Sequence, residues 1–366
     1  MQKKLIALAV AGLVSGAAFA QSNVTIYGIA DVAYGYVQAD DVKSIHAIES
    51  GGLSPSRIGF KGVEDLGNGV SALFVLEYGL MMDRGGSAQA EFGFEPAAGI
   101  GVARQQLVGL TGGFGTVVAG HAQTAGYDFA CATSAYTGGL MDAYRNASVG
   151  TLLSCTNFGR AGNAFAYISP SFGGLTIAYN HARVTEGIIG STMDINDSSA
   201  NLIAVKYANG PIAAQAVYSK VTLDKTAADL GVGDLKEWGI NGSYDFNIAK
   251  VYASYQESDL TKLDGKNKQW GISASFPIGG TAGAIHAGYT EGKFNDGMAK
   301  TGKLKAYTIA YTHGLSKRTT AYAGYTHLKN NDQMDRGVTL PSKGGALGLA
   351  DGAKSSIFGV GLRHSF

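Results

Sequence analysis

Side chains able to do chemistry are few and scattered in this sequence. The seven histidines (His46, His121, His181, His286, His313, His327 and His364) include no i,i+4 pair and have no cysteine or carboxylate at metal-ligand spacing, so no metal is expected. Gly112-Gly113-Phe114-Gly115 is not followed by Gly-Lys-Ser/Thr, which excludes a phosphate-cradling nucleotide loop. Ser273 and His286 fall on neighbouring segments, yet no third orienting group completes a nucleophilic site. Neither an enzyme nor a cofactor is expected. What remains is a small set of charges placed inside apolar-alternating segments: Arg57, Lys61, Arg104 and Arg160, with Glu77, Asp128 and Asp142 as carboxylates. Charges of that kind do not turn over a substrate. Beside a narrow aqueous passage they discriminate ions by sign.

The elements that hold these charges are read from composition and period. The 366 residues contain 54 glycines and only 6 prolines, 19 tyrosines and 15 phenylalanines, with 16% charged residues and a formal net charge of +1. Apolar content of 45% excludes disorder, and the near-zero net charge gives no footprint for nucleic acid. Residues 1–20 form a separate unit: Lys3 and Lys4, an apolar run from Leu5 to Val14, and Ala18-Phe19-Ala20. This is the pattern of an export signal cleaved after Ala20, too short to span a bilayer.

Further along, hydrophobicity alternates with period two. Leu175, Ile177 and Tyr179 face opposite Thr176, Ala178 and Asn180; Trp238, Ile240, Tyr244 and Phe246 face opposite Gly239, Asn241, Ser243 and Asp245. A soluble sandwich crowds its inner face with large side chains. Here the second face is Gly, Ser, Thr, Asn and Ala, too small to fill a core. Apolar outward with aromatic ends, polar inward, predicts a transmembrane barrel. Sixteen segments are expected: 23–37, 56–66, 69–82, 101–112, 114–122, 160–170, 174–184, 201–209, 211–221, 236–246, 248–259, 268–278, 281–292, 303–314, 318–328 and 355–366. Short and long connections alternate between them. The longest, 123–159, stands at the extracellular end and carries both cysteines, Cys131 and Cys155. Export through an oxidising compartment predicts that they are bridged.

Parity assigns directions. Arg57, Gly59 and Lys61 lie opposite Ile58 and Phe60 and point inward, as does Glu77 with Ser71, Leu73 and Val75. Arg160 falls opposite the outward pair Phe165 and Tyr167. Arg104 shares the parity of Val108 and Leu110, which leaves its direction open.

Three further stretches carry a resemblance. Ser56-Arg57-Ile58-Gly59-Phe60-Lys61-Gly62-Val63-Glu64-Asp65-Leu66-Gly67-Asn68-Gly69-Val70 resembles the second hairpin of the Gram-negative general porins of β-proteobacteria. Arg104 to Val117 is similar to that family's hairpin between strands four and five, and Leu315-Ser316-Lys317-Arg318-Thr319 to its hairpin between strands fourteen and fifteen. Val24-Thr25-Ile26-Tyr27-Gly28 and the terminal Phe366 also match. The resemblance implies an all-β, 16-stranded antiparallel transmembrane β-barrel, assembled as a homotrimer in the outer membrane among lipid and lipopolysaccharide. It implies passive passage of ions and small hydrophilic solutes, and a third extracellular loop, 123–159, folded inward as a constriction. It further implies basic residues on the wall, here Arg57, Arg160, Arg104 and Lys61, facing acidic groups, here Asp128, Asp142 and Glu77. His121 stands where the family often has arginine. The alternatives are a substrate-specific channel, for which Tyr27 and Tyr252 are the clearest inward aromatics, or an adhesin on a barrel scaffold.

Overall fold

The computed structural model describes residues 24–40, 42–83, 103–136, 138–183, 198–223, 233–261, 265–295, 301–340 and 345–366. The expected leader, residues 1–20, lies outside them. In chain order the strands are β1 Thr25–Ala39, β2 Val42–Ser50, β3 Arg57–Gly67, β4 Val70–Gly79, β5 Ala103–Gly112, β6 Gly115–Gln123, β7 Arg160–Ile168, β8 Leu175–Arg183, β9 Ser199–Asn209, β10 Ile212–Thr222, β11 Leu235–Asp245, β12 Lys250–Leu260, β13 Gly265–Pro277, β14 Gly283–Asn295, β15 Thr301–Gly314, β16 Thr319–Asn330, β17 Arg336–Leu340, β18 Gly345–Gly348 and β19 Lys354–Ser365. Two short helices, α1 Ala125–Ala130 and α2 Ala143–Asn146, lie between β6 and β7.

All but β17 and β18 form one antiparallel sheet of 17 strands. It closes because β1 pairs with β19 on one side and with β2 and β3 on the other. β2 covers the second half of β1 and β3 the first half, so these two strands share one position and the barrel has sixteen around its circumference. Closure satisfies every ladder without an edge, the condition for crossing hydrocarbon with strands. At the seam the Gly28 and Phe366 backbones exchange two hydrogen bonds of 3.1 Å. The Phe366 ring lies so close over Gly28 that a Cβ there would sit 2.3 Å from its Cζ, which requires glycine.

The strand Val42–Ser50 corrects the sequence reading, which left these residues as a connection. Its alternation is weak because Lys43 and Glu49 share a face with Ile45 and Ala47. The break that follows is anchored: the Asp31 carboxylate accepts from the Leu53 and Ser54 amides at 3.1 and 2.7 Å, and Tyr322 donates to it. The turns at the opposite end are tight, with Asn68 and Asn247 at positive φ of 54° and 67°, where a side chain that mimics a backbone turn is tolerated.

The two faces are inverted relative to a soluble protein. On β9, Ile203 and Val205 are exposed while Ala200, Leu202 and Ala204 are buried. The same holds at Trp238, Ile240, Trp270, Ile272, Ile309 and Val360, all exposed. So large a continuous apolar band is a surface for lipid. No helix among the described residues is long and apolar enough to cross a membrane.

Candidate functional site

The segment between β6 and β7 packs inside the barrel against inward-facing positions of many strands. Phe129, Ala130, Leu152 and Leu153 are buried with Ala164, Ala178, Ala204 and Val217. Met141, Ala143 and Ala147 are buried with residues of β1, β15, β16 and β19. Polar wall residues bind its backbone. Asn180 Oδ1 accepts from the Ala125 amide at 2.8 Å, and Asn241 Nδ2 donates to the Phe129 carbonyl at 2.9 Å. Glu237 accepts from the amides of Thr151, Leu152 and Leu153. The Thr308 and Thr326 hydroxyls both donate to the Met141 carbonyl at 2.7 Å. Small polar residues that read from sequence as water-facing are thus partly the seats of this segment, which satisfy its buried amides and carbonyls.

Local sequence shapes the segment. Thr124 caps α1, its hydroxyl accepting from the Tyr127 amide at 3.3 Å; Asp142 caps α2, accepting from the Tyr144 amide at 3.0 Å. Cys131 and Cys155 are joined by a disulfide, with Cα atoms 4.9 Å apart.

Against α1 stands a basic wall. Arg104 Nε lies 2.7 Å from Glu77 Oε1, Arg57 Nε lies 3.8 Å from Glu77 Oε2, and Tyr27 donates to Glu77 at 3.1 Å. Arg104 also donates to the Tyr127 hydroxyl at 3.5 Å, and the Arg160 guanidinium sits 4.3 Å from the centre of the Tyr127 ring. Lys61 Nζ lies 5.2 Å from the Tyr27 ring centre. Burial alone would raise the Tyr127 phenol pKa, but the charges of Arg160, Arg104 and Arg57 hold it below its usual range. Three guanidiniums therefore act on one phenol, with Glu77 the single carboxylate among them in the described residues.

The direction of Arg104, open from parity, is set by a β-bulge. Glu77 pairs with Gln105 and Tyr78 with Ala103, so Arg104 is the extra residue and turns inward to Glu77. A second irregularity, where Gly120 pairs with Ala164 but Ala122 with Ala161, displaces the start of β7. Arg160 is held under the segment, donating to the Thr156 carbonyl and to Asn157 Oδ1, and is only 6% exposed. His121 pairs with Gln106 on the face of Val108 and Ala119, the outward one.

The acidic set is arranged differently from the expectation of a face opposite the arginines. Glu77 is on the arginine wall itself, since β3, β4 and β5 are neighbours, and its charge offsets part of that wall. Asp128 pairs with Lys206 of β9 at 2.5 Å. Asp142 is 3% exposed, with both oxygens taken by Ser134, Gly138 and Tyr144, and burial lifts its carboxyl to about 6 against those hydrogen bonds and the Arg145 charge. It is a cap rather than a charged lining. Ser273 accepts from the Ala135 amide at 3.0 Å and His286 bonds Thr312 at 2.9 Å, so the two do not meet as a hydrolytic pair. Sequence reasoning missed Tyr127 and Lys206. The Thr-x-x-Tyr start of α1 is a readable cap, but nothing local says that its aromatic enters an arginine cluster.

The family model for the Gram-negative porins matches residues 7–333 of this chain. An outer membrane porin, protein 32, of Delftia acidovorans is 33% identical, with all of both chains aligned. The solved anion-selective porin from Comamonas acidovorans is 30% identical with a TM-score of 0.77, covering 94% of this chain and 100% of its own. A trimer form of OmpT, an outer membrane protein of Vibrio cholerae, is 14% identical with a TM-score of 0.64 over 94% of this chain and 99% of its own, a likeness of fold alone.

Proposed function

The chain belongs to the Gram-negative porin family, and we propose that it is a general diffusion porin of the outer membrane with a preference for anions. Ions and small hydrophilic solutes pass without turnover, and the segment 123–159 narrows the passage. The observation that carries this reading is the arginine cluster, Arg57, Arg104 and Arg160 around Tyr127, answered among the described residues by Glu77. At an effective dielectric near 20, a guanidinium about 6 Å from a passing ion contributes roughly 2–3 kcal/mol before screening. Low-dielectric walls focus that field across a narrow opening. Arg57 matters most, because 23% of its side chain stays exposed while Arg104 and Arg160 are buried. The similar anion-selective porin of Comamonas acidovorans supports the same sign.

The working unit is a homotrimer. Ala30 and Ala72 are small outward residues on the first strands that allow close approach of a second copy, whereas Gly28 and Gly62 are covered by the rings of Phe366 and Phe74; in lipid such packing has to drive association. Of the wall aromatics Tyr27 and Tyr252, Tyr252 is buried, so the two do not make a sugar slide, which favours a general pore over a substrate-specific one.

Planar-bilayer recording of the purified protein tests the reading. Expected are conductance steps in groups of three, a reversal potential of anionic sign under a salt gradient, and current unaffected by single solutes. Cation preference, or saturable block by one solute, would contradict it.

A further inference from the structure

Between β2 and β3 the chain leaves the sheet at residues 51–56, and the residue that follows this break is Arg57, the first of β3. Asp31, fully buried on the inward face of β1, holds the break from both ends. Its Oδ2 accepts from the Leu53 and Ser54 amides at 3.1 and 2.7 Å, and its Oδ1 accepts from the Tyr322 hydroxyl of β16. The backbone of the same residue adds three bonds. The Asp31 amide donates to Ser56 Oγ and the Asp31 carbonyl accepts from that hydroxyl, both at 3.0 Å, while the Gly51 amide donates to the same carbonyl at 2.9 Å.

The break in turn seats the inner segment. The Gly52 carbonyl accepts from the Leu140 amide at 3.1 Å, and Leu140 is buried. The approach is so close that a Cβ on Gly139 would lie 2.3 Å from the Gly52 carbonyl oxygen and 2.9 Å from that of Leu53, so the seat admits only glycine there without a backbone shift. Arg363 stands directly opposite Asp31 on β19 and supplies the opposite charge nearby. A buried carboxylate is costly unless its oxygens are engaged. Here the engagements run to the break and to β16, and the side chain itself does not reach the lumen surface.

We propose that Asp31 is a positioning residue of the pore: through the break it sets the gap between Arg57 and the inner segment, and with it both the aperture and the strength of anion preference. The proposal rests on the porin reading above. Arg57 follows the end of the break at Ser56, the inner segment follows its middle at Gly52, and both are referred to one residue. Without that reference the wall and the segment lose their common anchor, the gap widens, and screening across the wider opening weakens the pull of Arg57 on a passing anion.

The test records single channels of the full-length protein in planar bilayers, reading conductance, reversal potential under a potassium chloride gradient, and the largest neutral polyethylene glycol that still lowers the current. Asp31→Ala should raise the conductance, admit larger polymers and shift the reversal potential toward weaker anion preference. Loss of a negative charge acting directly on the ion would shift it the other way. Asp31→Asn should stay close to wild type in all three, because its carbonyl still accepts from the Leu53 and Ser54 amides and its amide donates to the Tyr322 oxygen. Gly139→Ala leaves Asp31 untouched but cannot sit on Gly52, so it should admit larger polymers as well. Combined with Asp31→Ala it should widen the pore no further than the wider single variant, since both remove one seat. If Asp31→Ala does not assemble, Asp31→Ser, which cannot reach both amides, takes its place with the same results expected. A wild-type conductance and polymer limit for the alanine variant overturns the proposal, as do an asparagine variant that shifts like alanine and full additivity of the double variant. The wild-type recording tests the porin reading separately, so variants that match an anion-preferring wild type overturn the positioning role alone.

Discussion

The Arg160 guanidinium lies 4.3 Å from the ring centre of Tyr127, which joins the first residue of β7 to the first turn of α1 and fixes the inner segment against the basic wall. A buried cation on an aromatic face contributes about 2 kcal/mol. Tyr127→Leu keeps bulk but removes both the ring face and the acceptor for Arg104. The expected outcome is a larger and noisier single-channel conductance with the sign of selectivity retained; unchanged noise would show that the ring does not hold the segment.

Glu77 answers three donors, Arg104, Arg57 and Tyr27. Glu77→Gln leaves Arg104 buried beside a neutral amide, at a cost of about 3–5 kcal/mol for breaking a buried pair. Thermal unfolding in detergent should show a lowered midpoint, and the reversal potential should move further toward anions. Movement toward cations would contradict the assignment of Glu77 to the arginine wall.

Asp142 should make the inner segment sensitive to acid in an unusual direction. Its folded pKa of about 6 lies above the usual carboxyl value because of burial. The protonated form is therefore favoured by the fold, and the contribution is fully present below about pH 4. It is lost as pH rises through about 6, by about 3 kcal/mol at most. Subtracting the stability of Asp142→Asn from wild type between these pH values isolates the group. A difference that does not fall with rising pH would rule out the buried, raised carboxyl.

The Cys131–Cys155 bridge closes 24 residues of sequence within the inner segment. In the loop-entropy model that removes about 3–4 kcal/mol from the unfolded ensemble. Alkylation under denaturing conditions without reductant should leave the intact mass unchanged, and the double serine variant should unfold at a lower temperature. Two added alkyl groups on the wild type would mean free thiols.

Most strands were legible in the sequence because a side-chain period of two survives inspection of a single chain, as at Leu175, Ile177 and Tyr179. β2 was not, since Lys43 and Glu49 interrupt its inward face near the barrel rim, and its place depends on pairing with β1. The identities of the basic residues were legible from their motifs; their directions were less so. Arg104 turns inward only because β4 and β5 slip by one residue at Glu77, a relation between two strands that neither carries alone. Asp142 could be found locally, as a carboxylate at the start of Ala143–Asn146, where capping competes with any role as a free charge. The pairing of Asp128 could not, although the residue itself was named, because its partner Lys206 is 78 residues away.

The central claim is that Arg57, the most exposed member of the arginine cluster, sets the sign of ion preference. The direct measurement is the reversal potential of single channels under a potassium chloride gradient for wild type, Arg57→Gln and Arg57→Glu, with Lys329→Glu at the outer rim as control. Reversing one charge about 6 Å from the ion path changes the local energy by roughly 4–6 kcal/mol before screening, over a Debye length of about 8 Å at physiological salt. The account predicts a graded shift from anion toward cation preference through Arg57→Gln to Arg57→Glu, larger at low salt, with Lys329→Glu close to wild type. A reversal potential unmoved by Arg57→Glu, or moved equally by Lys329→Glu, would contradict it and place selectivity outside the arginine cluster.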